Sequence, residues 1–256
     1  MPKNKFENLK SIIEELREKC PWDKKQTIKS LRALTIEEVY ELSDAIISED
    51  NLNIEEELGD VLMHIIFYSQ IGKEKKLFSI DSVIDKLIAK LKERHPHVYG
   101  GINVQSSEEV EENWEIIKKK KKNSNKTLGN ISKNIPPIVK AMRIQEKVRS
   151  VGFDWEEVDQ VLNKIYEELS ELNNEVENKN FQKIKGEVGD LLFSIINYSR
   201  FIGIDPEEAL EKTNIKFIKR FNCMENKILK EGKSFKYMNL KEMDKYWEMS
   251  KAQENE

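Results

Sequence analysis

Apolar residues recur at intervals of three and four along most of the chain, which is the period of an amphipathic helix. No stretch alternates apolar and polar residues for long, as a half-buried strand would. The spacing predicts helices over residues of about 6–19, 28–47, 51–71, 80–94, 108–122, 139–148, 156–176 and 181–201, and one more that starts after Asp205. The predicted fold class is therefore all-α, with antiparallel helices packed in bundles.

One acidic pattern occurs twice, with a constant offset of 130 residues between Glu38 and Glu168. The first copy reads Glu37-Glu38-x-x-Glu41 and then Glu57-x-x-Asp60, and the second reads Glu167-Glu168-x-x-Glu171 and then Glu187-x-x-Asp190. The apolar residues after each copy match as well, so the repeat predicts two tandem helical-bundle domains. We expect domains at 1–122 and 138–256, joined by a linker at 123–137 that is rich in Asn, Ser, Gly and Pro.

Composition narrows the class of protein. The chain has 256 residues, of which 38% are hydrophobic and 35% charged, and its net charge of -4 indicates no general affinity for nucleic acid. The run Lys118–Lys122 is more typical of a solvated helix end than of a phosphate-binding tail. Two cysteines in 256 residues favour a reduced, cytoplasmic protein. The longest apolar stretch begins at Val61 and is too polar to cross a membrane.

The repeated carboxylates carry the candidate chemistry. Each helical residue advances by about 100°, so Glu38 and Glu41 share a face, as do Glu57 and Asp60. A short connection between the two helices makes them antiparallel neighbours, and their carboxylates converge. Hard oxygen ligands without His or Cys favour Mg²⁺, with Mn²⁺ as a substitute. Solvated acidic helices, or a duplication that preserved the pattern without a function, are the alternatives.

Two further residue types bear on this metal hypothesis. Gly59 and Gly189 each precede the aspartate of a copy, and a helical glycine there predicts close approach of a facing helix or a ligand. None of the three histidines follows a Glu by three residues, as a di-iron bundle would require. We interpret His64 as a packing residue.

Several separated motifs resemble the MazG family of all-α nucleoside triphosphate pyrophosphohydrolases. These motifs are Cys20-Pro21-Trp22-Asp23-x-x-Gln26-Thr27, the first acidic copy, Gly59-Asp60-x-Leu62 and Arg94-His95-Pro96-His97-Val98. The resemblance covers nearly the whole chain, including its tandem arrangement. It implies Mg²⁺-dependent hydrolysis of nucleoside triphosphates to monophosphate and pyrophosphate, for control of nucleotide pools, by a homodimer in which the C-terminal domain is the main catalyst.

The resemblance also implies roles for individual residues. The metal ligands in the C-terminal domain would be Glu168, Glu171, Glu187 and Asp190, with Glu38, Glu41, Glu57 and Asp60 as further ligands in the N-terminal domain. Lys183, Lys216 and Arg220 would meet the phosphates, and Trp247 would contact the nucleoside. Glu167 is a candidate to orient or deprotonate the attacking water. Position 53, which corresponds to Lys183, holds Asn, and this difference favours catalysis in the C-terminal half.

Two other functions fit the same residues. A non-catalytic helical module could bind a nucleotide or a protein through the acidic helices, and metal-dependent turnover would exclude it. A phosphohydrolase of another type would release phosphate instead of pyrophosphate, so product identity separates it. The sequence contains no Gly-rich loop of the P-loop type and no arrangement that suggests a covalent intermediate.

Overall fold

A computed structural model of the protein describes residues 4–106, 109–110, 113–114, 117, 126–129 and 131–252. This part of the chain contains helices and turns but no strand, and it divides into two compact units, Met1–Lys121 and Lys122–Glu256. The all-α prediction is confirmed. The predicted helix at 108–122 and the lysine run that ends it fall mainly outside the described residues. Among the described helices, none combines the length and hydropathy needed to cross a membrane.

The N-terminal unit is built around one long helix. Its helices are α1 (Lys5–Lys19), α2 (Pro21–Lys25), α3 (Leu31–Ile47), α4 (Asn51–Glu74), α5 (Ile80–Arg94) and α6 (Pro96–Tyr99). Helices α1, α3 and α5 all pack on α4. The core consists of Ile13, Leu31, Ile66, Phe67 and Ile71. Burying these side chains is what holds the helices together, because short helices are marginal on their own.

Local hydrogen bonds set where these helices begin. The Asp50 carboxylate accepts hydrogen bonds from the first-turn N–H groups of α4, and Ser79 caps α5 in a reciprocal box with Ser82. Helix α3 starts three residues later than the sequence predicts. The reason is a turn in which Thr27 and Ser30 each donate a backbone N–H to the other's hydroxyl.

The C-terminal unit repeats the central helix pair. Its helices are α7 (Pro137–Arg149), α8 (Val158–Glu177), α9 (Phe181–Phe201), α10 (Pro206–Lys230) and α11 (Leu240–Ala252), with a short 3₁₀ turn at Phe235–Tyr237. Helices α8 and α9 pack along each other, and α7 packs on α9. The Asp205 carboxylate caps α10, which has Pro206 at its first position, as predicted. Helices α10 and α11 form a second pair around Met224, Ile228 and Tyr246.

An arginine fixes the turn that precedes the central helix pair in each unit. In the C-terminal unit, Arg200 of α9 donates to Asp154 at 2.5 Å, and so anchors the Gly152-Phe153-Asp154-Trp155 turn. In the N-terminal unit, Arg17 donates to the carbonyl oxygens of Asp23 and Gln26. Both turns are therefore held at a defined position beside the acidic helices.

Candidate metal centres and an adjoining cavity

Carboxylates converge where α8 and α9 face each other. Carboxylate oxygens of Glu168 and Glu171, from α8, and of Glu187, from α9, all lie within 4.8 Å of one another. Glu168 is buried, Glu187 is half-buried and Glu171 is exposed. The structure therefore brings together three of the four metal ligands predicted for this domain. Asp190, the fourth, is near enough for its charge to act on Glu187.

The mutual repulsion of these groups fits a site for a divalent cation. Loss of water raises the pKa of Glu187, and the negative charges of Glu171 and Asp190 raise it further. A bound dication would remove this penalty. Carboxylate oxygens from two helices, without His or Cys, are the ligands that Mg²⁺ prefers, so the residues present fit this ion.

Lys164 provides a positive charge at one side of the cluster. Its ammonium lies 2.8 Å from Oε1 of Glu168 and 2.7 Å from Oε1 of Glu167. Hydrogen bonds to Glu167 and then to Glu168 raise the pKa of Lys164, so the side chain stays protonated. Glu167 is the residue predicted to orient or deprotonate the attacking water. It is thus held beside the cluster by a lysine that the sequence analysis did not single out.

A cavity of about 380 Å³ adjoins the C-terminal cluster. Lys164, Glu168 and Asp190 line it at the cluster, and the other lining residues include Gln145, Phe153, Trp155, Phe193 and Asn197. Gln145 is 3% exposed, its Nε2 donates to the Phe193 carbonyl oxygen at 2.9 Å, and its Oε1 has no hydrogen-bond partner among the described atoms. The volume and the mixture of aromatic and amide groups are typical of a pocket for a small organic ligand.

The N-terminal unit contains a second cluster at the matching positions. Carboxylate oxygens of Glu38, Glu41 and Glu57 lie within 4.8 Å of one another, and the charge of Asp60 contributes to raising the pKa of Glu38, after the larger effect of burial. His64 is the neighbouring base. Its Nε2 is 3.7 Å from Oε1 of Glu38, and its Nδ1 is 3.0 Å from the Thr35 hydroxyl.

His64 is 4% exposed, as expected for a packing residue, but it also contacts the acidic cluster. Thr35 Oγ1 in turn lies 2.6 Å from the Tyr68 hydroxyl, which completes a partly buried chain of polar side chains. This chain fixes the ring of His64 in the space between α3 and α4.

The predicted phosphate and nucleoside ligands lie on several helices. Lys183 of α9 pairs with Glu175 at 3.0 Å, and this hydrogen bond raises the pKa of Lys183. The charge of Glu187 adds a smaller rise, so Lys183 lies at the edge of the cluster. Lys216 and Arg220 lie one turn apart on α10. Trp247 of α11 packs on the core of the second helix pair, with its ring 5.0 Å from that of Phe217. The roles of these four residues in substrate binding remain predictions.

The prediction that a facing helix approaches Gly59 and Gly189 closely was wrong. A Cβ atom built on Gly59 or Gly189 would meet no described atom within 4 Å. The helix surface at both positions is open, so packing within the chain does not require a glycine there.

The sequence analysis also missed two residues that the structure places at the site. The ion pairs of Lys164 could have been predicted, because this residue precedes Glu167 and Glu168 by three and four residues, which is the spacing of helical ion pairs. Gln145 gave no comparable signal, because its burial depends on how α7 packs on α9.

The raised pKa of Glu187 predicts a pH-dependent stabilisation by metal. A raised pKa means that the folded state loses stability as pH rises from the ordinary value of 4.5 through the raised one, since the carboxylate must ionise. A divalent cation relieves that penalty only where the group is ionised. We expect Mg²⁺ or Mn²⁺ to raise the melting temperature more at about pH 7.5 than at about pH 5. Thermal melts with and without metal measure this.

A Glu187→Gln variant is the control for this effect. It removes a charge from the cluster, so we expect the metal-free protein to melt higher than the unchanged chain at about pH 7.5. An equal effect of metal at both pH values would contradict the assignment of these carboxylates as its ligands.

The fold and the clusters together define a class of protein: a tandem all-α protein in which each helical unit carries its own carboxylate site. The model of the MazG nucleotide pyrophosphohydrolase domain matches the chain at two places, residues 26–99 and 156–224. These ranges contain the two acidic clusters. The chain belongs to the MazG nucleotide pyrophosphohydrolase family.

Named relatives agree with this assignment along nearly the whole chain. The nucleoside triphosphate pyrophosphohydrolase/pyrophosphatase MazG of Thermotoga maritima is 44% identical over 251 residues, which cover 96% of each chain. The nucleoside triphosphate pyrophosphohydrolase of Escherichia coli K12 is 36% identical over 98% of each chain. A third relative, the uncharacterized protein YabN of Bacillus subtilis, is 44% identical over 98% of this chain and 52% of its own length.

Proposed function

We propose that the protein hydrolyses nucleoside triphosphates to nucleoside monophosphate and pyrophosphate, that the reaction depends on Mg²⁺, and that the C-terminal unit is the main catalyst. The observation that carries this proposal is the position of the C-terminal cluster. Glu168 and Asp190 border a cavity of about 380 Å³, so a metal-bound triphosphate would extend from the carboxylates towards a space with aromatic walls. The names of the full-length relatives support the same reaction.

In this proposal the carboxylates of Glu168, Glu171, Glu187 and Asp190 hold the cation. When bound, Mg²⁺ neutralises phosphate charge and lowers the pKa of a coordinated water. A water molecule attacks the α-phosphorus, the bond from that phosphorus to the bridging oxygen breaks, and pyrophosphate leaves. Glu167 orients the water and takes its proton.

Positive side chains balance the charge of the leaving group. Lys183 lies at the edge of the cluster, and Lys216 and Arg220 share one face of α10. Ammonium and guanidinium groups placed where negative charge develops stabilise the transition state. Trp247 contacts the nucleoside in this scheme, and the cavity beside Trp155 is a second place where a base could pack.

We also propose that the protein acts as a homodimer in the cytoplasm. The support is the apolar surface that α10 leaves exposed in a single chain. Phe217 is 56% exposed and Ile218 is 58% exposed, and both directly follow the proposed phosphate ligand Lys216 in the chain. A second copy that covers this surface would also bring α10 into a fixed position.

Product analysis tests the reaction directly. The protein is incubated with a panel of ribo- and deoxyribonucleoside triphosphates and Mg²⁺, with and without EDTA, and the products are separated by ion exchange. We expect monophosphate and pyrophosphate in equal amounts, and loss of turnover to background with EDTA. Diphosphate and phosphate would mean that another bond is cleaved. Absence of turnover on every triphosphate would favour the non-catalytic binding module.

A further inference from the structure

Lys164 occupies the boundary between the C-terminal cluster and the cavity. Its Nζ atom is hydrogen-bonded to Glu168, which is only 6% exposed, and to Glu167. The same side chain also lines the cavity, and a third of it remains exposed to solvent. A flexible, positively charged side chain is therefore in contact with both the proposed metal ligands and the proposed substrate space.

The N-terminal unit has no lysine at the matching position. Leu34 stands there and packs on the apolar core, and Glu38 instead faces the imidazole of His64. The residue that matches His64 is Ser194. The buried glutamate of the C-terminal cluster is thus paired with a lysine from its own helix, whereas the matching Glu38 faces a histidine from the neighbouring helix.

An ammonium and a divalent cation compete for the same carboxylate. Lys164 already holds an oxygen of Glu168 at 2.8 Å, and a dication on that carboxylate would lie a few ångströms from the ammonium, where like charges repel strongly. The Lys164 side chain can move away from the dication into the cavity, because it already lines that cavity. A triphosphate that enters with the metal would offer it new anionic oxygens.

We propose that Lys164 is an exchangeable counter-cation of the C-terminal site. Its ammonium neutralises Glu168 until a divalent cation binds. The side chain then moves, and the ammonium donates a hydrogen bond to a non-bridging oxygen of the substrate's α-phosphate. This role rests on the proposed function of the same site. In this role Lys164 is a catalytic residue, because its ammonium contacts an oxygen of the phosphate group that is under attack. Its release also leaves Glu168 free to bind the metal.

The first test measures metal binding without substrate. Mn²⁺ binding is followed by electron paramagnetic resonance in a chain whose N-terminal cluster is disabled by Glu41→Gln and Glu57→Gln. Removing a competing positive charge with Lys164→Met should make Mn²⁺ bind tighter, by about threefold to tenfold. Lys164→Arg keeps the charge and should bind Mn²⁺ like the parent. Equal or weaker binding in Lys164→Met would overturn the exchange.

The second test measures turnover of the same variants. Without an ammonium at the α-phosphate, Lys164→Met should lose about tenfold to a hundredfold in kcat with Mg²⁺ saturating, and Lys164→Arg should recover part of the loss. A lysine that only held the helices in place would instead weaken both metal binding and turnover. An unchanged kcat in Lys164→Met would overturn the phosphate contact.

Lys19→Met is the matched control. Lys19 forms an ion pair with Glu15, four residues before it on α1, at 2.6 Å, with no carboxylate cluster involved. The Lys19→Met variant should change neither the Mn²⁺ affinity nor kcat. Failure of this inference and failure of the proposed function can be told apart. The Mn²⁺ experiment tests the inference and needs no turnover. Absence of pyrophosphate release by the unchanged chain would count against the proposed function alone.

Discussion

A Glu171→Gln substitution is expected to lower kcat for pyrophosphate release by about 100-fold or more while the fold is retained. Glu171 is exposed on α8, and its oxygens converge with those of Glu168 and Glu187. The amide has nearly the same shape as the carboxylate but has no charge with which to hold a dication. Steady-state pyrophosphate release measures the effect, and circular dichroism checks that the helices are intact.

Two comparisons make this prediction specific. Glu177→Gln removes an exposed acid at the end of the same helix and should leave kcat unchanged. Glu41→Gln makes the matching change in the N-terminal cluster, and it should lower kcat far less than Glu171→Gln does. Similar losses from Glu41→Gln and Glu171→Gln would mean that both units catalyse. Full activity of Glu171→Gln would rule out the C-terminal cluster as the metal site.

Replacing Ile71 with alanine is expected to destabilise the N-terminal unit by about 2–5 kcal/mol. Ile71 lies at the centre of that unit's core and is 1% exposed. The substitution removes three carbon atoms from a packed site, so it loses both transfer free energy and the contacts of the surrounding side chains. Chemical denaturation followed by circular dichroism gives the change in the free energy of unfolding.

Leu52→Ala provides the control on the same helix. Leu52 is 80% exposed, so its truncation should change the free energy of unfolding by no more than about 0.5 kcal/mol. Equal effects of the two substitutions would contradict the packing of α4 against α1 and α3. If Ile71→Ala lowers stability without lowering kcat under native conditions, that result also supports catalysis by the C-terminal unit.

The clusters were predictable because helical geometry leaves few choices. A spacing of three residues within each helix puts Glu168 and Glu171 on one face and Glu187 and Asp190 on another. The connection between α8 and α9 is only three residues, Asn178–Asn180, so the two faces meet. The same argument applies to α3 and α4. Convergence of these carboxylates therefore needed no knowledge of the rest of the fold.

The cavity was not predictable by the same reasoning. It is bordered by α7, α8, α9 and the turn at Asp154, which come from separate parts of the chain. Gln145 illustrates the difference. Nothing in its sequence neighbourhood indicates that a carbonyl oxygen of α9 would accept a hydrogen bond from its amide nitrogen. Nor does it indicate that its amide oxygen would have no partner in the described part of the chain.

The sequence by itself determined the all-α fold, the duplication and the convergence of two carboxylate clusters. Each of these follows from contacts between residues close in the chain, where the helical period fixes direction. Only the tertiary structure decided that Lys164 borders a cavity and that Trp247 packs on Phe217. It also decided that, in the described part of the chain, no other element packs against the position of a Cβ at Gly59 or Gly189. These features depend on distances between elements, which are set by how whole helices pack and not by the order of residues along any one of them.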